Sequence, residues 1–253
     1  MDTPAALLLA AIVAIGLIGA GWVLGSEIKQ TRLADRYVTV KGLVERNVKS
    51  DLAIWNIGFQ SSANDFKTML GQGDTQRQTV LSFLAQQGID KQQIEIGAPR
   101  VIDKQAQEYG GPSTGNQNRY ILSQSIIVTS PDVDRVAKAG QQAAQLLQQG
   151  VILTSNSGVS GSSVAFKFNG LNAIKPDMIT EATRNGRAAA QRFAADSGAH
   201  VGAIRQANQG TFSISPADAG SSANEAGDAA YPADSSIMKK VRVVTTVDYF
   251  LEQ

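Results

Sequence analysis

From Ala5 to Gly25 the chain reads AALLLAAIVAIGLIGAGWVLG, and no charged side chain occurs between Thr3 and Ser26. At a rise of 1.5 Å per residue, about 20 helical residues cover about 30 Å, the thickness of a bilayer's hydrocarbon core. This length and purity predict one membrane-spanning helix, with Trp22 near an interface. The rival reading is a cleaved signal peptide, which calls for a basic leader, an apolar stretch of about 7 to 15 residues and a small-residue cleavage site. The leader lacks basic residues and the apolar run is longer, so a retained anchor is the expectation. Inside the run, Gly21 and Gly25 form a GxxxG pair and Gly16 and Ala20 a second small pair, a spacing that lets two helices approach closely.

After the anchor and its juxtamembrane segment (residues 1–36), residues 37–253 form the remaining domain, enough chain for a substantial core. A net charge of +1 with 18% charged residues gives no global field for nucleic acid. With no cysteine, disulfides, thiolate metal sites and cysteine nucleophiles are excluded, and the composition suits an oxidising compartment.

Residues 37–47 and 52–61 alternate as strands around a polar turn and predict an antiparallel hairpin. A helical stripe follows in Phe66, Met69, Leu70, Gly73, Val80, Phe83 and Leu84, stopped by Gly88. Residues 94–107 and 119–129 predict a second hairpin, joined by a Gly- and Pro-rich loop. A second helix is expected from Ser130 to Gly150, with Pro131 first, Asp132 and Asp134 in its opening turn, and a stripe of Val133, Val136, Ala137, Gly140, Ala144 and Leu147. A strand lies within 163–168. The third helix begins near Pro176, shows Met178, Ile179, Ala182, Ala189, Phe193 and Ala194 on one face, and ends at Gly198. All three helices end in Gly with an apolar residue at once or soon after, in QQGI, QQGV and DSGAHV. Strands at 203–215 and 238–251 flank an Ala-, Gly- and Ser-rich loop expected to be mobile or partner-facing. The order predicts an α+β fold, an N-terminal transmembrane helix followed by antiparallel strands with about three helices packed on the sheet.

No constellation supports a named reaction. His200 is the sole histidine, so a multi-histidine metal site is impossible, and it reads as a loop or strand-start residue. The Ser-rich stretch 154–163 lacks the G-x-S-x-G elbow. Asp132 and Asp134 are explained by capping, and Asp228 and Asp234 lack regular ligand spacing. Gly19, Gly21 and Gly25 sit inside the apolar run and make no phosphate loop. Trp55, Phe59, Phe166 and Phe168 fall on core-facing strand positions, and Lys239, Lys240 and Arg242 read as the solvent-facing start of the last strand. Catalytic, cofactor-binding and metal residues are therefore expected to be absent, and the chain is not read as an enzyme.

Three stretches carry a family resemblance: YVTVKGLVERNVKSDLAIWNIGF, EATRNGRAAAQRFAADSGAHVGAI and KKVRVVTTVDYFLEQ. Over residues 37–251 the chain resembles the SIMPL domain family of bacterial envelope proteins, which includes the periplasmic immunogenic protein. Lys49-Ser50-Asp51 stands where Pro-Asp is common in that family. The resemblance implies a periplasmic or surface protein linked to oxidative-stress tolerance that assembles as a large, ring-like homo-oligomer, with no enzymatic mechanism and no cofactor. The expected partners are thus copies of itself and the bilayer through residues 5–25, without nucleic acid. A binding module using the loop 216–236, or an enzyme of unrecognised type, are the alternatives. Lys29, Arg32 and Arg36 by themselves favour a cytoplasmic domain, whereas the resemblance favours a single-pass inner-membrane protein facing the periplasm.

Overall fold

The computed structural model describes residues 36–106, 118–154, 164–218 and 234–252. The apolar run, including Gly16, Ala20, Gly21 and Gly25, lies outside these residues, as do residues 155–163 and Asp228. Among the described residues no helix is long and apolar enough to cross a membrane.

The fold is α+β with antiparallel sheets. Its strands are β1 (Tyr37–Lys49), β2 (Leu52–Ala63), β3 (Ile94–Ile96), β4 (Arg100–Asp103), β5 (Tyr120–Ser130), β6 (Leu153–Thr154), β7 (Val164–Lys167), β8 (His200–Gln209), β9 (Ser213–Pro216) and β10 (Met238–Glu252). The helices are α1 (Phe66–Gln86), α2 (Val133–Gln141), α3 (Ala144–Gln148) and α4 (Leu171–Asp196). Two compact units result: unit 1 holds residues up to Glu45, Lys175–Phe212 and Arg242 onward, and unit 2 holds Arg46–Ile174 and Ser213–Val241.

The expected β1–β2 hairpin does not form. β1 joins a sheet of order β1-β10-β8, with β9 also pairing β10, while β2 joins one of order β3-β5-β2-β6, with β4 on β5 and β7 on β2. Asp51 makes the turn between them a tie point. Its carboxylate accepts from the N–H groups of Asn169 at 3.0 Å and Gly170 at 2.8 Å, just ahead of α4, and its own N–H donates to Lys167 O at 3.0 Å. A carboxylate at the positive end of a helix is favourable, which gives a physical reason for Asp in this turn.

In unit 2, β2 and β5 pair in unbroken antiparallel register from Ala53↔Ser130 to Ala63↔Tyr120. Alternation sends Trp55, Ile57 and Phe59 to one face, where they meet Val80, Phe83 and Leu84 of α1 and Val136 and Leu146 of α2 and α3. Trp55 and Phe83 meet edge to face at 6.4 Å. α1 opens on Asp65, whose carboxylate accepts from the Thr68 N–H at 2.8 Å and is thereby held below the usual carboxylate range. Met69, Gly73, Val80, Phe83 and Leu84 of its predicted stripe are buried, whereas Phe66 and Leu70 are exposed.

Several predicted boundaries move. The strand expected at 94–107 is broken into β3 and β4 around Gly97–Pro99, where proline has no N–H for the ladder. Ser130 ends β5, and the second helix is capped by Asp132, which accepts from the Arg135 N–H at 3.1 Å. That helix is interrupted at 142–143 by i→i−3 bonds, from Gln142 to Ala139 and from Ala143 to Gly140. Tightening shifts the buried stripe to Val133, Val136, Ala139, Ala143 and Leu146, leaving Leu147 exposed. Pro176 lies inside α4, which starts earlier, at Leu171. The strand expected at 203–215 divides into β8 and β9.

Unit 1 packs differently. The close contacts between β1 and β10, Arg36 with Leu251, Gly42 with Thr245 and Glu45 with Arg242, keep a constant antiparallel register. α4 lays Met178, Ala182, Gly186, Ala190 and Ala194, four residues apart, as its buried stripe. A Cβ on Gly42 would collide with Ala182 O and stand 2.8 Å from Gly186 N, so strand and helix backbones nearly touch. Phe193, expected on this inner face, is instead 62% exposed because the stripe recurs every four residues and passes it by. In the part of β10 that belongs to unit 2, Lys239 is also corrected: strand alternation turns it inward and buries it, while Lys240 and, further along the strand, Arg242 are half-buried on the other face. Desolvation pushes its ammonium below the ordinary lysine range, opposed by Asp234 and Asp218.

Candidate functional site

The site with the best physical claim to function is built by the turn from α4 into β8. Gly198 adopts φ of 67°, a left-handed value that suits glycine, and reverses the chain. The Ala199 N–H then donates to Ala194 O at 2.8 Å and the Gly198 N–H to Ala195 O at 3.2 Å, closing the helix. β8 leaves from His200 and pairs with β10 from Glu252↔His200 to Thr245↔Gln209, with irregularities around Tyr249.

In the order β1-β10-β8, one flank of β8 carries no partner among the described residues. Its ten residues are nearly all solvent-facing, in the sequence HVGAIRQANQ. A long strand presenting an unpaired row of N–H and C=O groups is a template for another strand. β8 contains no proline and one charge, Arg205, apart from its terminal histidine. The Arg205 guanidinium lies 4.1 Å from the centre of the Tyr37 ring, an arrangement worth about 0.5–1 kcal/mol at an exposed site.

His200, the strand-start residue expected from sequence, is exposed and borders an open hollow of about 440 Å³ with Gln191, Ala195 and Gly198. Among the described residues that line this hollow there is no carboxylate or hydroxyl nucleophile. Among the described residues there is no group of three or more side chains suited to hold a metal ion. Asp132 and Asp134 stand apart from His200 in sequence and in unit, the former capping α2 and the latter paired with Lys49.

A second hollow, of about 330 Å³, was not foreseen from sequence. Gln60, Ser62, Lys104, Asn118, Ile121 and Ile152 line it in unit 2. Asn118 Nδ2 donates to Ser62 O at 3.2 Å and Ser62 Oγ at 3.0 Å. Beside it, Arg119 donates from Nε and Nη2 to both oxygens of Asp103, and these bonds hold the Asp103 carboxyl below its ordinary range and raise the guanidinium. Its residues come from four separate segments, each unremarkable alone, so no local motif announces it.

The architecture and the three sequence stretches agree with a match over residues 38–249 to the family described as SIMPL, protein of unknown function (DUF541). The chain belongs to the SIMPL family. Its matched region runs from the second residue of β1 to near the end of β10, so it takes in both described sheets and the four described helices. No curated protein matches the chain. The SIMPL family supports an envelope protein as the broad description.

Proposed function

We propose that this SIMPL protein is an envelope scaffold, anchored in the inner membrane by residues 5–25 and self-associating on its periplasmic side through the open flank of β8. The observation that carries the reading is the length of β8: ten residues of backbone, exposed along nearly their whole run, with no partner strand beyond them among the described residues. Two copies joined at such a flank continue one sheet, and repeated association by two different surfaces closes a ring or builds a filament. The role is assembly rather than chemistry, and tolerance to oxidative stress follows from an organised envelope. The absence of cysteine in all 253 residues suits that setting, since the chain offers no thiol to oxidise.

Adjacent residues of a strand direct their N–H groups to opposite sides, which gives a discriminating pair of variants. Of Ala207→Pro and Asn208→Pro, one removes a bond to β10 and the other removes only a donor on the open flank. Light scattering of the full-length protein, corrected for detergent, is expected to give a high-order oligomer. The flank-directed proline is expected to give a smaller species with unchanged circular dichroism. A monomeric parent protein, or an oligomer indifferent to both substitutions, overturns assembly through β8.

A further inference from the structure

We propose that the end of unit 1 where β1 begins rests on the bilayer surface, with Phe193 and Tyr37 seated at the headgroup level. The inference depends on the anchor reading and adds what that reading leaves open, the face the domain turns to the membrane.

Topology gathers this end from three places. β1 starts at Tyr37, β10 finishes at Glu252 and β8 starts at His200, and the bond from Leu251 N–H to Arg36 O with the pair Leu251↔Val201 sets them side by side. α4 finishes here as well, since Ala194 and Ala195 line the same hollow as His200. Phe193 is 62% exposed, Tyr37 44% and Ile204 50%, and all three lie in the last turn of α4 or the first half of β1 or β8. Exposed apolar residues scattered singly are ordinary. Among the described residues of unit 1, three of the four large ones collect at one end, Leu43 being the fourth.

The chain itself names the occupant. Only residues 26–35 separate the apolar run from Arg36, and ten residues reach at most about 35 Å. The end bearing residue 36 is therefore held near the bilayer, and aromatic rings beside arginine are the side chains that settle at a membrane interface. Arg36, Arg192 and Arg205 are offset here by Asp196 and Glu252, so the charge is nearly balanced. The contact is accordingly with the interfacial zone of zwitterionic lipid and insensitive to salt, rather than with an anionic headgroup.

The absence of native cysteine permits a depth measurement on the full chain. Single-cysteine variants Ala195→Cys and Arg184→Cys sit on the exposed stripe of α4, eleven residues or about 16 Å apart. Each, in the full-length protein reconstituted in phosphatidylcholine vesicles, carries a fluorophore read against a headgroup-borne quencher. The label at 195 is expected to be quenched roughly twofold more than that at 184, at low and at high salt, and the difference is expected to vanish in Phe193→Glu with Tyr37→Ser, both of which replace exposed side chains. Equal quenching at both positions, in protein that an alkaline carbonate wash leaves on the vesicles, overturns the proposal while sparing the anchor. Release by that wash overturns the anchor and the proposal with it.

Discussion

The two units seal a helix to a sheet by opposite means. In unit 2 the joint is filled with large side chains, Trp55, Phe59, Phe83 and Leu146 among them. In unit 1 it is made by subtraction: Ala182, Gly186, Ala190 and Ala194 bring α4 down until Gly42 meets backbone. The first joint draws its stability from apolar area and tolerates repacking, whereas the second depends on close approach of backbone and tolerates no added atom where that approach is tightest.

The sharpest way to break the contrast is to add volume to the thin joint. Gly42→Val is expected to cost about 4 kcal/mol or more, because the obstructing atom is the backbone oxygen of Ala182 and no side chain can yield. Urea unfolding followed by near-ultraviolet circular dichroism measures it, and a cost below about 1 kcal/mol would show the joint to be compliant. Removing volume from the thick joint comes next. Trp55→Ala is expected to cost about 3–5 kcal/mol, read as a lowered Tm, since the fully buried indole leaves a cavity that its neighbours close only in part.

A smaller effect lies in the charged rim of unit 2, to which unit 1 has no described equivalent of the same bidentate geometry. The Asp103 carboxyl is held below its unfolded value by Arg119, so its contribution is fully present above about pH 4 and is lost as pH falls through the folded value. Urea midpoints taken from pH 7 to pH 3 are expected to fall less steeply in Asp103→Asn than in the parent protein. Smallest, and opposite in sign to the first, is Gly186→Ala. Its Cβ meets Gly42 no closer than 3.5 Å, ordinary contact, and alanine favours a helix interior by about 1 kcal/mol. A Tm equal to or above that of the parent is expected; a marked fall would mean that the two glycines facing each other are equally constrained.

What was legible in the sequence was local. All three Gly-terminated helices end alike, with bonds from Ile89 to Leu84, Val151 to Leu146 and Ala199 to Ala194, because a left-handed residue followed by an apolar one is a chemically complete stop. The strands of the first hairpin motif were also legible, but their partners were not. Period-two alternation tells which face a residue takes, not which strand lies beside it, so β1 and β2 gave no sign of entering different sheets. The same limit governed the candidate site. β8 was foreseen in part as a strand, yet its place at a sheet flank depends on β10, whose pairing residues lie some forty positions later. Lys239 was misread because its charge outweighed its position in the alternation, and Phe193 because a helix face approximated by three- and four-residue steps is wider than the strict four-residue stripe that glycine and alanine create.

The register of β1 against β10 bears on mechanics. In the proposed anchored arrangement a pull arrives at Arg36 along the axis of β1, and Arg36 and Gly42 are bonded across to Leu251 and Thr245. When the opposing load acts at the far end of β1, those bonds are strained side by side and must fail together, not peel one after another. Against such a load β1 and β10 form a lap joint.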